Sequence, residues 1–122
     1  MGAELQSMKA KKSGEEFIWQ GDPDVWSGHS PLLFPIVGRL KDDSYIYEGK
    51  KYTLGKHGFA RRAEWQVESA EADKAVFLLT DKHPGFPFEY ELRAIYALKE
   101  NALEVSYSVK SNNEKPFWFS VG

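Results

Sequence analysis

A chain of 122 residues is long enough for one domain and too short for two. An aromatic share of 15% argues against disorder, a net charge of −2 with no basic stripe argues against a nucleic-acid partner, and the lack of cysteine excludes disulfides and thiolate metal sites. No apolar run reaches the length of a membrane span, and the opening MGAELQSMKAKKSGEE lacks the apolar stretch of a signal peptide, so the expected compartment is the cytoplasm, with no membrane partner.

The dominant hydrophobic period is two, the signature of strands. In chain order, a first hairpin is expected with Leu5 on one arm and Phe17, Ile18 and Trp19 on the other, turning at Lys11-Lys12-Ser13-Gly14. The stretch from Gly21 to Arg39 is rich in Gly, Pro and aromatics. It reads as a long loop feeding a short buried strand, Leu32 to Val37, and loops of that length in a compact domain are usually functional. A hairpin is expected from Tyr45 to Leu54, turning at Glu48-Gly49-Lys50, and another from Ala63 to Thr80 with the polar link Glu71-Ala72-Asp73-Lys74. The clearest alternation comes next: Phe88, Tyr90, Leu92, Ala94, Tyr96 and Leu98, a turn at Lys99-Glu100-Asn101, then Leu103, Val105, Tyr107 and Val109. A last strand runs from Phe117 to Val121. It is either an edge strand closing the domain or the mark of a truncated one. No convincing helix, internal repeat or linker is present, and serial hairpins make an antiparallel all-β chain, sandwich or open barrel.

Candidates for chemistry are few. The three histidines, His29, His57 and His83, show no local metal-ligand spacing. No Ser sits in a Gly-x-Ser-x-Gly turn and no glycine-rich phosphate loop occurs. The segment Lys56-His57-Gly58-Phe59-Ala60-Arg61-Arg62 lies between two hairpins. A His followed by Gly can present its imidazole where the backbone is open to a ligand, with Arg61 spaced to reach the same pocket; the plainer reading is a surface loop with solvated arginines. Arg39, after Phe34-Pro35-Ile36-Val37-Gly38, is either a solvated strand end or a fork for hydroxyl and carbonyl oxygens. His83-Pro84-Gly85-Phe86 reads as a turn entering the strongest strand. Of the four tryptophans, Trp19, Trp65 and Trp118 fall in expected strands and read as core. Trp26, in the long loop, is the better candidate to stack on a sugar ring.

Three segments together resemble the aldose 1-epimerase family, in its branch of bacterial mutarotase-like proteins. They are Ser30-Pro31-Leu32-Leu33-Phe34-Pro35-Ile36-Val37-Gly38-Arg39-Leu40, Lys56-His57-Gly58-Phe59-Ala60-Arg61, and Glu114-Lys115-Pro116-Phe117-Trp118-Phe119-Ser120-Val121-Gly122. The resemblance implies a galactose mutarotase-like antiparallel β-sandwich (a supersandwich), incomplete here, with residues 1–122 forming the N-terminal part of a single domain. It implies interconversion of the α and β anomers of an aldose or aldose phosphate by general acid and base catalysis of ring opening, without metal or organic cofactor. The alternative is a non-catalytic sugar-binding or sensing protein on the same fold.

Residue by residue, the resemblance gives Arg39 and Arg61 as substrate-binding groups and His57 as the catalytic-site histidine that hydrogen-bonds the sugar near its ring oxygen. Lys56 departs from the Gln common in close relatives. The family's acid His and base Glu fall beyond Gly122, so the isolated chain is expected to be inactive. The implied partners are a monosaccharide or sugar phosphate, together with a second copy of the chain or a complementary C-terminal fragment.

Overall fold

The computed structural model describes residues 2–122. Six strands form two antiparallel sheets. The smaller pairs β1 (Ser44–Tyr47) with β2 (Lys50–Thr53), and the larger is a meander of β3 (Gln66–Ala70), β4 (Lys74–Leu79), β5 (Tyr90–Lys99) and β6 (Ala102–Ser111) in that spatial order. The only helical pieces among the described residues are two three-residue 3-10 turns, Lys41–Asp43 and Ala60–Arg62. The three later hairpins therefore form where alternation and turn residues place them. At the β1–β2 turn both Glu48 and Gly49 have positive φ, as a tight two-residue hairpin connection requires.

Three expected elements differ. The first hairpin shrinks to one isolated bridge, Lys9 to Glu16, because Phe17 and Trp19 stay exposed and bury nothing to hold the arms together. The segment Leu32 to Val37 is buried at Leu32, Phe34 and Pro35 but is no regular strand. Pro35 has no N–H to donate, and Val37 is half exposed. Its partner is the last segment: Leu33 and Gly122 exchange both backbone hydrogen bonds, and Ser120 N–H donates to the Pro35 carbonyl at 2.8 Å. The expected strand Phe117 to Val121 is thus extended chain laid against 33–35 rather than a ladder strand. Trp118 on it is 95% exposed, so it is not a core residue.

The core lies between the inner face of the meander and the irregular segments. Leu79 from β4 and Tyr90, Leu92 and Ala94 from β5 meet Leu32, Phe34, Ala60, Phe86 and Phe88. Phe34 is the hub. Its ring packs edge-on against Phe59 and Phe86, with centroids 6.2 and 5.7 Å away, and obliquely against Tyr90 and Phe119. Tyrosines that are buried or partly buried carry a polar end that must find a partner, and they use it to tie loops to sheets. Tyr96 Oη donates to the Ala3 carbonyl, Tyr90 Oη to that of Asp81 and Tyr45 Oη to that of Gly85.

Candidate functional site

The loop from Gly55 to Arg62 runs off the end of β2 and is clamped on the buried Phe34. Phe59 N–H donates to the Phe34 carbonyl at 3.0 Å and Ala60 N–H shares the same oxygen at 3.3 Å. For the two backbones to come this close, residue 58 must lack a side chain. Gly58 has φ of +65°, and a Cβ there would collide with the Phe34 carbonyl. This close approach turns the preceding residue, His57, into the left-handed region as well, at φ of 66°.

His57 is locked at two points to Gly38. Its N–H donates to the Gly38 carbonyl at 2.7 Å, and its imidazole Nδ1 accepts the Gly38 N–H at 2.9 Å. A nitrogen that accepts an N–H carries no proton, so the neutral ring is protonated at Nε2 and presents Nε2–H as a donor. Partial burial, then the charges of Lys56 and Arg61, push the imidazole below its ordinary pKa, which favours this neutral form.

The lock sets Arg39, the next residue after Gly38, beside the His57 loop. The Arg39 side chain is mostly exposed and makes a close ion contact, Nε to Asp43 Oδ1 at 3.1 Å. Arg61 folds back over the same loop, its Nη2 donating to the Lys56 carbonyl at 3.2 Å, while its Nε is buried with no partner. The structure thus gathers the 57–61 loop and the 38–39 turn by contact. Gly38, which orients the imidazole, escaped the reading of the sequence, although a glycine directly before Arg39 was visible there.

Other candidates fall elsewhere. The ring of Trp26 lies against Gly28 within its own loop, and its carbonyl accepts the Trp19 indole N–H at 2.7 Å. His83 closes a turn: Phe86 N–H donates to its carbonyl, Gly85 N–H to its Nδ1, and its ring stacks on Phe59 at 4.3 Å, nearly parallel. Gly85 is needed there because a Cβ would strike the Thr53 carbonyl. A crevice of about 430 Å³ separates this turn from the loop, lined by Gly58, Phe59, Arg62, Asp81, Lys82 and His83. A second cavity of about 290 Å³, between β1 and the last segment, has no carboxylate, imidazole or cationic side chain in its wall. Among the described residues no group of three His, Cys, Asp or Glu could hold a metal ion, and no helix is long and apolar enough to cross a membrane.

The chain is all-β, two antiparallel sheets with a histidine locked in the arginine-bearing 55–62 loop, and its fold is galactose mutarotase-like by comparison with solved structures. Two solved structures match it over 98% of its length: a galactose mutarotase related enzyme from Lactobacillus acidophilus, 46% identical with a TM-score of 0.95, and a galactose mutarotase-like protein from Lactobacillus casei, 35% identical with a TM-score of 0.93. Protein LacX of Lactococcus lactis subsp. lactis is 30% identical over 131 residues, taking in all of this chain. The aldose 1-epimerase family model matches residues 1–122, and the chain belongs to that family. It spans less than half of these relatives: 41% and 42% of the two solved chains and 44% of LacX.

Proposed function

We propose that this chain is the N-terminal part of a single domain that interconverts the α and β anomers of an aldose by general acid and base ring opening, and that it supplies the sugar-orienting half of the site. The observation that carries the reading is the Gly38–His57 lock. A neutral imidazole with Nδ1 satisfied by backbone offers one fixed donor, Nε2–H, suited to a ring oxygen that gains negative charge as the hemiacetal opens. Arg39 and Arg61 flank it as forks for hydroxyl oxygens. The acid His and base Glu come from outside residues 1–122, as the resemblance implies. The cytoplasm is the proposed compartment.

The proposed macromolecular partner is a complementary C-terminal fragment, with a second copy of the chain as the substitute. Leu98, Val105 and Tyr107 share the inner face of the large sheet with buried Leu92 and Ala94, yet remain at least 40% exposed. Apolar surface left open in this way associates. Sedimentation equilibrium at low micromolar concentration should show a species heavier than 13.9 kDa; a clean monomer would remove this part of the proposal.

Function is tested by binding and rate together. Galactose or glucose, titrated into the isotopically labelled chain, should shift the His57 and Gly38 resonances, and His57→Ala should weaken binding about tenfold, the loss of one hydrogen bond to the ligand. Polarimetry of the fresh α anomer should show no rate above buffer for the isolated chain, since acid and base groups are each worth about a hundredfold or more. Resonances unmoved by either sugar would refute the site. A rate increase above buffer would show that the chemistry lies within residues 1–122.

A further inference from the structure

The 55–62 loop is held from two sides. Phe34 and Gly38 grip it through Phe59, Ala60 and His57. Its far end, the Ala60–Arg62 turn, meets residues 2–6 instead. Gly2 N–H donates to the Ala63 carbonyl at 3.0 Å, where the turn stops. Gly2 is buried, with φ of +77°, and a Cβ there would stand 2.5 Å from the Arg61 carbonyl oxygen and 3.1 Å from its carbon. The backbones of residues 2 and 61 are therefore in direct contact, and only glycine lets them come so close.

Residues 2–6 are not held there by that contact alone. Tyr96 Oη of β5 donates to the Ala3 carbonyl, Ser30 Oγ to the Leu5 carbonyl at 2.6 Å, and Gln20 Nε2 to the Gln6 carbonyl at 3.0 Å. Glu4 faces the His29 imidazole, Oε1 to Nδ1 at 3.4 Å, with both side chains largely buried. Every one of these anchors lies outside the 55–62 loop. The segment is a strap, fastened to β5 and to residues 20–30, with Gly2 pressed on the Arg61 carbonyl.

What that pressure controls is the Arg61 side chain. Among the described residues its one hydrogen bond runs from Nη2 to the Lys56 carbonyl at 3.2 Å, and its Nε is buried without a partner. A guanidinium so lightly tethered takes its direction from its own backbone. Resting on the reading of Arg61 as a sugar-binding group, we infer that Gly2 is a positioning residue for Arg61: the 2–6 strap sets the angle from which the guanidinium reaches the sugar. A side chain at position 2 must push the turn away. That swings the Arg61 fork, while Gly38 still holds the His57 imidazole at Nδ1.

The test follows the Arg61 Nε–Hε resonance, the His57 ring and the Leu92 methyls in the intact, isotopically labelled chain, free and titrated with galactose. Gly2→Ala should displace the Arg61 resonance in the free protein and weaken galactose binding about fivefold, part of what one hydrogen bond to a charged group contributes. His57 and Leu92 should stay in place. Gly14→Ala is the control for backbone strain, because Gly14 has φ of +74° with open space around it; Arg61 should not respond. Ser30→Ala unties Leu5 without adding bulk. It should move Arg61 in the same sense by less, and it decides the matter if Gly2→Ala fails to fold by circular dichroism. An Arg61 resonance and an affinity unchanged in both strap variants would overturn the inference. So would Arg61, His57 and Leu92 moving together, since that marks a general loss of packing. If galactose shifts nothing in the unsubstituted chain while Gly2→Ala still displaces Arg61 alone, the strap stands and the sugar reading falls.

Discussion

Between Gln66 and Ser111 each strand pairs with the next in one antiparallel meander, and its single irregularity is a bulge between Val67 and Ser69. Residues 2–43 and 54–65 bury their share of the core with almost no ladder. The difference lies in how backbone polar groups are satisfied. In the meander they satisfy one another by repetition, and substitutions on its outer face meet solvent or the charge cluster of Glu68, Glu91, Arg93 and Lys110. In the irregular half each backbone group needs a particular partner: Phe34 for Phe59, Gly38 for His57, Tyr96 for Ala3. Only the second arrangement leaves a side chain such as His57 held at one angle, and the site residues all lie there. The comparison also says where the chain is vulnerable.

The largest effect is expected at Phe34, the ring that joins the two regions. Phe34→Ala should destabilise by about 3–5 kcal/mol, as large aromatic truncations in a filled core do. Urea denaturation measures it. An outer-face change on the meander, such as Ser108→Ala, should cost under about 0.5 kcal/mol. Equal costs would mean that the irregular half is not packed as described.

Next is Gly58→Ala. A methyl at a positive φ, aimed at a carbonyl, should cost about 1–3 kcal/mol. Because the loop must lift off Phe34, the His57 and Gly38 resonances should move with it. Gly49→Ala, in the β1–β2 hairpin turn, is the control. It has a positive φ of 75° but open space around it, so it should pay for backbone strain alone and leave His57 unmoved. Similar responses at both sites would show that the clamp on Phe34 is not what positions the histidine.

A smaller effect is expected of Tyr96→Phe, which removes the hydroxyl holding the Ala3 carbonyl at 2.7 Å. The cost should be about 1 kcal/mol, with hydrogen-exchange protection lost around residues 2–6 and kept in β4 and β5. Uniform loss across the sheet would show that the N-terminal arm is integral to the meander.

Legibility follows the same divide. The three later hairpins were readable because period-two alternation and polar turns are local signals, and β1 to β6 form within a few residues of where they are expected. The first hairpin failed because Leu5, Phe17 and Trp19 look like strand residues in isolation. Whether they bury anything depends on distant chain, and Trp118 misled for the same reason. At the site, His57, Arg39 and Arg61 stood out through their motifs. The Gly38 contact did not, since a backbone group 19 positions from its partner leaves no periodic trace. What the motif could not give is the state of the imidazole, which follows from which nitrogen accepts the Gly38 N–H, from partial burial and from the cations beside it.

The smallest effect separates the two regions by pH. His57 and His83 both have a folded pKa below the ordinary 6.5, each chiefly because burial disfavours the charged ring. The unfolded chain therefore binds protons more readily there, so the stability these rings contribute is complete above about 6.5 and declines as pH falls below it. In the meander the sign is the same but the window is lower. Hydrogen bonds from Arg93, Lys110 and Asn112 pull Glu91 from 4.5 to about 2, and Arg93 also lowers Glu68; both contributions are complete above 4.5, and that of Glu91 is lost only as pH falls toward 2. Acidification should therefore loosen the 55–62 loop and the 83–86 turn first and the β5–β6 ladder afterwards. Residue-resolved hydrogen exchange at pH 7.5, 5.5 and 3.5, corrected for intrinsic rates, reads this order. Protection at Phe59 and Phe86 should fall between the first two values while that of β5 holds. His57→Gln and His83→Gln, which cannot titrate, should each flatten the early change at their own loop. Simultaneous loss in both regions would mean that the loop and the meander open as one unit.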